Sequence, residues 1–351
     1  MHLPIRGARR VNLRSLFDNR VVVPLHEHYR VAGALCSVST NSEVILAAAR
    51  NSFTSVVQPP VAADARMQLW VDPSARTAQA WPHAHFRGLD HLVFAAFDAE
   101  NTVLVDLRER RAVGRLSPAM AADGAYLSRV VFPTLFGIFT YSIPVTPLHC
   151  ACLERGGRAL LLTGPSGSGK STLALALAQN GFGYLSDEWT YFSWQTGRLQ
   201  AWSLPTPLKL LPSSAEHFPQ LAHMQPEISQ NGELAYEIEP QIAFGVRRSA
   251  CAEPDWLILL ERQDTPSFTI SRLSPAELAA EFEDDAEFFA SHGFSQGRDL
   301  LVKTVEGLGR IACWRLRYGG KPALVARALC EFVGDWFDHG RPRAAIQGFV
   351  D

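Results

Sequence analysis

Long apolar runs are missing from this 351-residue chain. The longest candidates, such as Val130 to Ile143, are interrupted by Pro133, Thr134, Gly137 and Tyr141. None reaches the roughly 18 to 20 apolar residues that span a bilayer, so no membrane segment is expected. Cysteine is scarce too. Cys36, Cys150, Cys152, Cys251, Cys313 and Cys330 fall at irregular spacings, which argues against a disulfide scaffold and for a reducing compartment. Charge of one sign is also absent. A net charge of -2 gives no global field for nucleic acid or anionic lipid, so neither is expected as a partner. The stretch from Met1 to Arg20 is rich in arginine and has no apolar centre, which reads against a secretory signal. Repeats and low-complexity tracts are not found. What remains is a globular balance, 47% hydrophobic and 19% charged, in a chain long enough for two domains. A cytoplasmic protein is the expectation.

Up to about residue 145 the chain mixes short alternating runs with turn signals, as a small α+β domain does. Gln68 to Asp72 reads as a strand. His91 to Phe97 and Thr102 to Leu107 read as a pair joined through Asp98 to Asn101. Asn41 to Asn51 and Pro118 to Phe132 read as helices. From Pro147 the pattern alternates strand and helix, which implies an α/β unit. Its expected strands are His149–Leu153, Ala159–Thr163, Gly183–Ser186, Trp189–Trp194, Pro254–Leu260 and Gly309–Tyr318. Its expected helices are Ser171–Gln179, Ser274–His292 and Pro322–Asp338. Domains over 1–145 and 146–345 follow.

Between the second of those strands and the first of those helices lies Gly164-Pro165-Ser166-Gly167-Ser168-Gly169-Lys170-Ser171, followed by Thr172. It satisfies G-x-x-x-x-G-K-[ST] in full, and in the required strand–loop–helix context. Glycine lets the backbone wrap an anion so that successive N–H groups point inward, and the helix start adds its positive dipole end. In such a loop Lys170 reaches the β- and γ-phosphates, and the Ser171 hydroxyl ligates Mg²⁺. The loop from Gly164 to Thr172 is therefore read as a nucleoside triphosphate site, with ATP and Mg²⁺ as the expected cofactors.

Asp187 and Glu188 come directly after the next strand. In a parallel sheet that strand end lies beside the phosphate loop. One carboxylate can then orient the metal or its water, while the other accepts a proton from an attacking hydroxyl. A Leu-Ser-Gly-Gly-Gln transporter sequence and an Asn-Lys-x-Asp guanine-reading sequence are both absent.

The stretch 145–195 resembles the catalytic domain of HPr kinase/phosphorylase, a bacterial serine kinase with a fold like that of phosphoenolpyruvate carboxykinase. That family places a histidine on the strand before the loop, then the loop, a helix, a turn glycine and a pair of aspartates. Here His149, Gly164 to Ser171, Leu173 to Leu177, Gly181 and Asp187 take those positions. Glu188 replaces the second aspartate and lengthens that arm by one methylene. The family's Glu-Ile-Arg-Gly-Leu-Gly stretch, linked to phosphorylase activity, is not present. The resemblance implies a phosphate-loop kinase domain of this type behind a small α+β domain. It further implies transfer of the γ-phosphoryl of ATP to a hydroxyl, on a serine of a peptide or protein or on a small molecule. Asp187, Glu188, His149 and Lys170 would carry the reaction, with Ser171 and Asp187 on Mg²⁺. The family forms hexamers, which implies a homo-oligomer. A nucleotide-binding regulatory module without transfer, and a simple nucleoside triphosphatase, stay open beside this reading.

Lesser candidates surround these. His149-Cys-Ala-Cys152 lacks the further pair that a closed zinc site needs and reads as buried free cysteines. Lys209 sits in a proline-rigid apolar segment and needs a phosphate or carboxylate partner. Arg247 and Arg248 could clamp a phosphate or form a solvated turn. Glu233 or Glu237 could help hold Mg²⁺. His83, His85, Asp90 and His91 suit a loop entering a strand better than a metal cluster.

Overall fold

The computed structural model describes residues 21–57, 62–75, 84–229, 232–291, 294–339 and 347–348. Eight strands form the first sheet: β1 (Leu25–Val31), β2 (Ala34–Thr40), β3 (Thr54–Val56), β4 (Ala65–Val71), β5 (His85–Leu89), β6 (Leu92–Ala96), β7 (Thr102–Asp106) and β8 (Arg111–Leu116). Their order is β3-β1-β2-β4-β8-β7-β6-β5. The β2–β4 and β4–β8 pairs are parallel and the remainder antiparallel. Alternation along β4 puts Ala65, Met67 and Leu69 inside, where they meet helix α1 (Glu43–Ser52).

The long helix expected over 118–132 is segmented. Its first piece, α2 (Pro118–Ala122), is capped by the Ser117 side chain, which accepts from the Met120 amide. A wider π-type turn then spans Leu127–Val131 before α3 (Phe132–Phe139). Pro133 has no N–H to give to the carbonyl four residues back, so the regular ladder cannot pass through this point.

The second sheet holds β9 (Thr146–Leu148), β10 (Ala151–Arg155), β11 (Arg158–Thr163), β12 (Gly183–Ser186), β13 (Thr190–Gln195), β14 (Arg198–Trp202), β18 (Cys251–Arg262), β19 (Ser267–Arg272), β20 (Ala312–Gly319) and β21 (Gln347–Gly348). A small sheet of β15 (Leu208–Leu210), β16 (Glu227–Ile228) and β17 (Leu234–Ile238) lies between them in sequence. Among its described residues, only β11, β18 and β20 run parallel side by side. Around them the sheet is mixed, in the order β12-β10-β11-β18-β14-β13-β9.

Helices cover both faces. Helix α4 (Lys170–Gln179) is apolar and buried from Leu173 to Ala178 and packs against α8 (Pro322–His339). The opposite face carries α5 (Pro275–Glu281), α6 (Glu283–Ser291) and α7 (Ser295–Leu308), which supply Leu278, Leu301, Val305 and Leu308 to the core. The expected Ser274–His292 helix breaks at Phe282, after a start in which the Ser274 and Glu277 side chains cap each other's backbone amides; His292 lies outside the described residues. The fold is thus mixed α/β with several sheets. No described helix is long and apolar enough to cross a membrane.

Two expectations are corrected. His149 and Cys150 stand in a break between β9 and β10 rather than on a strand. The sheet beside the loop is not parallel, because antiparallel β10 separates β11 from β12. Two antiparallel steps restore direction, so β12 still ends on the side where β11 ends.

Candidate functional site

Strand β11 ends at Thr163 and α4 begins at Lys170, and the segment between them turns on three glycines at positive φ. Gly164 has φ 140° and Gly169 has φ 88°. A Cβ on Gly164 would meet the Leu260 carbonyl at 2.7 Å, and one on Gly169 would collide with the Tyr318 hydroxyl. Only glycine fits either position. The Ser168 amide closes the turn onto the Pro165 carbonyl at 3.1 Å. From β20, the Tyr318 hydroxyl donates to the Ser168 carbonyl at 2.5 Å and fixes the loop from outside. Pro165, Ser166 and Gly167 are exposed at the tip. The Ser168 side-chain oxygen is buried and finds no partner among the described residues.

Lys170 is buried, and its ammonium donates to the carbonyls of Gly164 at 2.7 Å and Pro165 at 3.2 Å. Burial pulls its pKa below the usual lysine value, against the opposing pull of Cys150, Glu281 and Glu188. Ser171, one residue on, lies close enough to the Asp187 carboxylate to favour its charged form, the smallest of the effects on that group. Thr172 turns away, its hydroxyl 3.3 Å from that of Ser214.

Asp187 is 4% exposed. Its Oδ1 accepts from the Tyr184 hydroxyl at 2.7 Å and its Oδ2 from the Lys209 amide at 3.1 Å. Burial raises its pKa to about 6, despite those donors. Glu188 projects outward and makes no hydrogen bond among the described residues. Loss of hydration raises its pKa; Lys209 lowers it, and Glu233 and Glu237 raise it. His149 is exposed, with its ring 5.6 Å from that of Trp189. Desolvation and the Lys170 charge hold it below the ordinary histidine range.

The structure thus gathers Lys170, Ser171, Asp187, Glu188 and His149 around one end of the sheet. It settles the lesser candidates in different ways. Lys209 pairs with Glu233 at 2.6 Å. Arg248 pairs with Glu239 and donates to the carbonyls of Leu204 and Thr206, while Arg247 pairs with Glu154. Neither arginine is aimed at the loop as a clamp. Cys150 and Cys152 are buried free thiols. No group of three His, Cys, Asp or Glu is placed to hold a metal ion among the described residues. His91 contacts Asp90 at 3.0 Å, His85 is exposed, and His83 lies outside the described residues.

Tyr184, Tyr318 and Glu281 belong to this neighbourhood and were not singled out from the sequence. Tyr318 and Glu281 sit about 110 to 150 positions after the loop, so no local motif could announce them; Tyr184 was hidden in an ordinary strand pattern.

Comparison with known proteins adds little. No family model matches the chain, and no curated protein matches it. Among solved structures it is similar to the Hpr(Ser) kinase/phosphatase from Coxiella burnetii, with 13% identity over 56% of this chain and 94% of that one. The TM-score is 0.29, too loose a likeness to carry an argument.

Proposed function

We propose that the chain is an ATP-dependent kinase that transfers the γ-phosphoryl group to a hydroxyl, on a serine of a peptide or protein or on a small molecule. The observation that carries this is the buried Asp187 carboxylate, held just past the end of β12 with Ser171 close by, beside a glycine loop whose Lys170 opens the helix. Ser171 is the hydroxyl expected to ligate a metal, and Asp187 the carboxylate expected to orient it. The residues fit both groups. The loop's two critical glycines let its backbone wrap tightly against Leu260 and Tyr318, as a phosphate-cradling loop requires, and the unpartnered Ser168 hydroxyl is a donor in waiting. Hydroxyl and carboxylate oxygens are the hard donors that Mg²⁺ prefers.

Mg²⁺ bound there would neutralise phosphate charge. Lys170 would leave the Gly164 and Pro165 carbonyls for phosphate oxygens, a stronger pairing between opposite charges. Ser171 and Asp187 would hold the metal side. Asp187 or Glu188 would take the proton of the incoming hydroxyl, both having pKa values raised toward neutrality by burial. His149 would stay neutral near the transferred group. Residues 1–145 are assigned to recognition of the acceptor, and a homo-oligomeric, cytoplasmic protein is part of the same reading.

The test is incubation with γ-labelled ATP, Mg²⁺ and sets of serine peptides and small hydroxyl compounds. Label on an acceptor supports the kinase. Free phosphate alone points to a hydrolase, binding without turnover to a regulatory module, and no binding overturns the site itself. Asp187→Asn is expected to keep nucleotide and lose transfer.

A further inference from the structure

Asp187 is a buried carboxylate whose two oxygens are held from two different elements. Tyr184 reaches Oδ1 from its own strand, and the Lys209 amide reaches Oδ2 from β15. Tyr184 itself is fixed on every side. Its amide donates to the Arg247 carbonyl at 2.8 Å and its carbonyl accepts from the Ser249 amide at 2.8 Å. On its other edge it pairs with Leu153 of β10. The Arg248 guanidinium lies over the ring, 5.9 Å from its centre, and is itself anchored by Glu239 and two backbone carbonyls.

Tyr184 is 1% exposed and packs in the core that also contains Leu173, Leu177 and Phe182. Phenylalanine would fill that space equally well. What tyrosine adds is one hydroxyl, and the bond recorded for it goes to Asp187. With Oδ1 and Oδ2 both pinned, the carboxylate cannot rotate about its terminal bond without breaking a hydrogen bond. Its remaining acceptor capacity is then fixed in direction, in a site that Ser171 also borders.

We infer that Tyr184 is a positioning residue. It sets the orientation in which Asp187 faces Ser171, and so the geometry of the metal bound with nucleotide. The inference rests on the proposed phosphate site and says which residue tunes it.

The experiment compares wild type, Tyr184→Phe, Asp187→Asn and the double variant. Each is titrated with ADP in EDTA and with ADP plus Mn²⁺, and Mn²⁺ coordination is read by electron paramagnetic resonance. Tyr184→Phe is expected to leave metal-free ADP binding unchanged and to weaken the Mn²⁺-dependent part about tenfold, the scale of one hydrogen bond to a charged group. The two single changes are expected to be non-additive, because one acts through the other. Equal weakening with and without metal, an unaltered Mn²⁺ spectrum, additive effects, or a Tyr184→Phe protein that fails to fold would each give Tyr184 a purely structural role and overturn the inference. If wild type binds no ADP at all, the phosphate site falls as well, an outcome distinguishable from loss of the inference alone.

Discussion

Replacing Lys170 by Met separates the cost of this site from its use. The lysine is 7% exposed and its ammonium rests on two backbone carbonyls, with burial opposing its charge. Methionine keeps most of the length and removes the charge. Two hydrogen bonds from a charged donor are lost, worth about 1.5 to 3 kcal/mol each in general. Against that stands the relieved desolvation of a buried cation, of similar size. The free protein is therefore expected to change stability by no more than about 1 kcal/mol. Ligand response is another matter. If the loop holds Mg·ATP as proposed, a hundredfold excess over its dissociation constant would stabilise the wild type by about 2.7 kcal/mol. For a chain of this size that is a rise of about 3 to 8 °C in melting temperature. Loss of the lysine–phosphate contact costs about 2 to 3 kcal/mol, or roughly 30- to 150-fold in affinity. At the same nucleotide concentration the rise should then drop below about 2 °C. Thermal unfolding with and without Mg·ATP reads both quantities. A Lys170→Met protein that keeps the full ligand shift would refute the reasoning.

Three further outcomes follow from the geometry. Asp187 has a folded pKa near 6 against about 3.9 in an unfolded chain, so the folded state holds the extra proton between those values. Its contribution is fully present below about pH 4 and is lost as pH rises through about 6, by about 3 kcal/mol in all. In EDTA, the stability of Asp187→Asn relative to wild type should therefore climb across that window, and a flat difference in urea unfolding would contradict this. Gly164→Ala, with φ 140° and a carbonyl 2.7 Å from the new Cβ, should lose about 1 to 3 kcal/mol; a loss below about 0.5 kcal/mol in denaturant titration would show that the loop yields freely. Gly169→Ala should be partly relieved by Tyr318→Phe, since the Tyr318 hydroxyl is the atom in the way. A coupling below about 0.5 kcal/mol in the double-mutant cycle would count against that contact.

The glycine loop at 164–169 and its flanking strand and helix were legible because their signal is local, a motif plus two apolar runs. Strands β6 and β7 were legible for the same reason. Hairpin β1–β2 was not, since it turns on Ala32-Gly33 rather than on a familiar Asn-Gly pair, with Ala32 itself at φ 48°. Helix α7 is hard to read although Leu301, Val305 and Leu308 fall at helical spacing, because Gly297 and Gly307 dilute the pattern. Asp187 was expected beside the loop for a reason that proved incomplete. The direction of β12 was right, but an antiparallel strand separates it from β11. Long-range partners were beyond reach. Lys209 needed a partner, yet only the fold shows Glu233 as the one it takes and Asp187 as the one its amide serves.

The central claim is that residues 164–172 hold a triphosphate with its metal. Isothermal titration of the wild-type chain with Mg·ATP tests it most directly. One nucleotide per chain is expected, with affinity lowered by EDTA and largely lost in Lys170→Met. Absence of binding at millimolar Mg·ATP, or binding indifferent to both metal and Lys170, would contradict it.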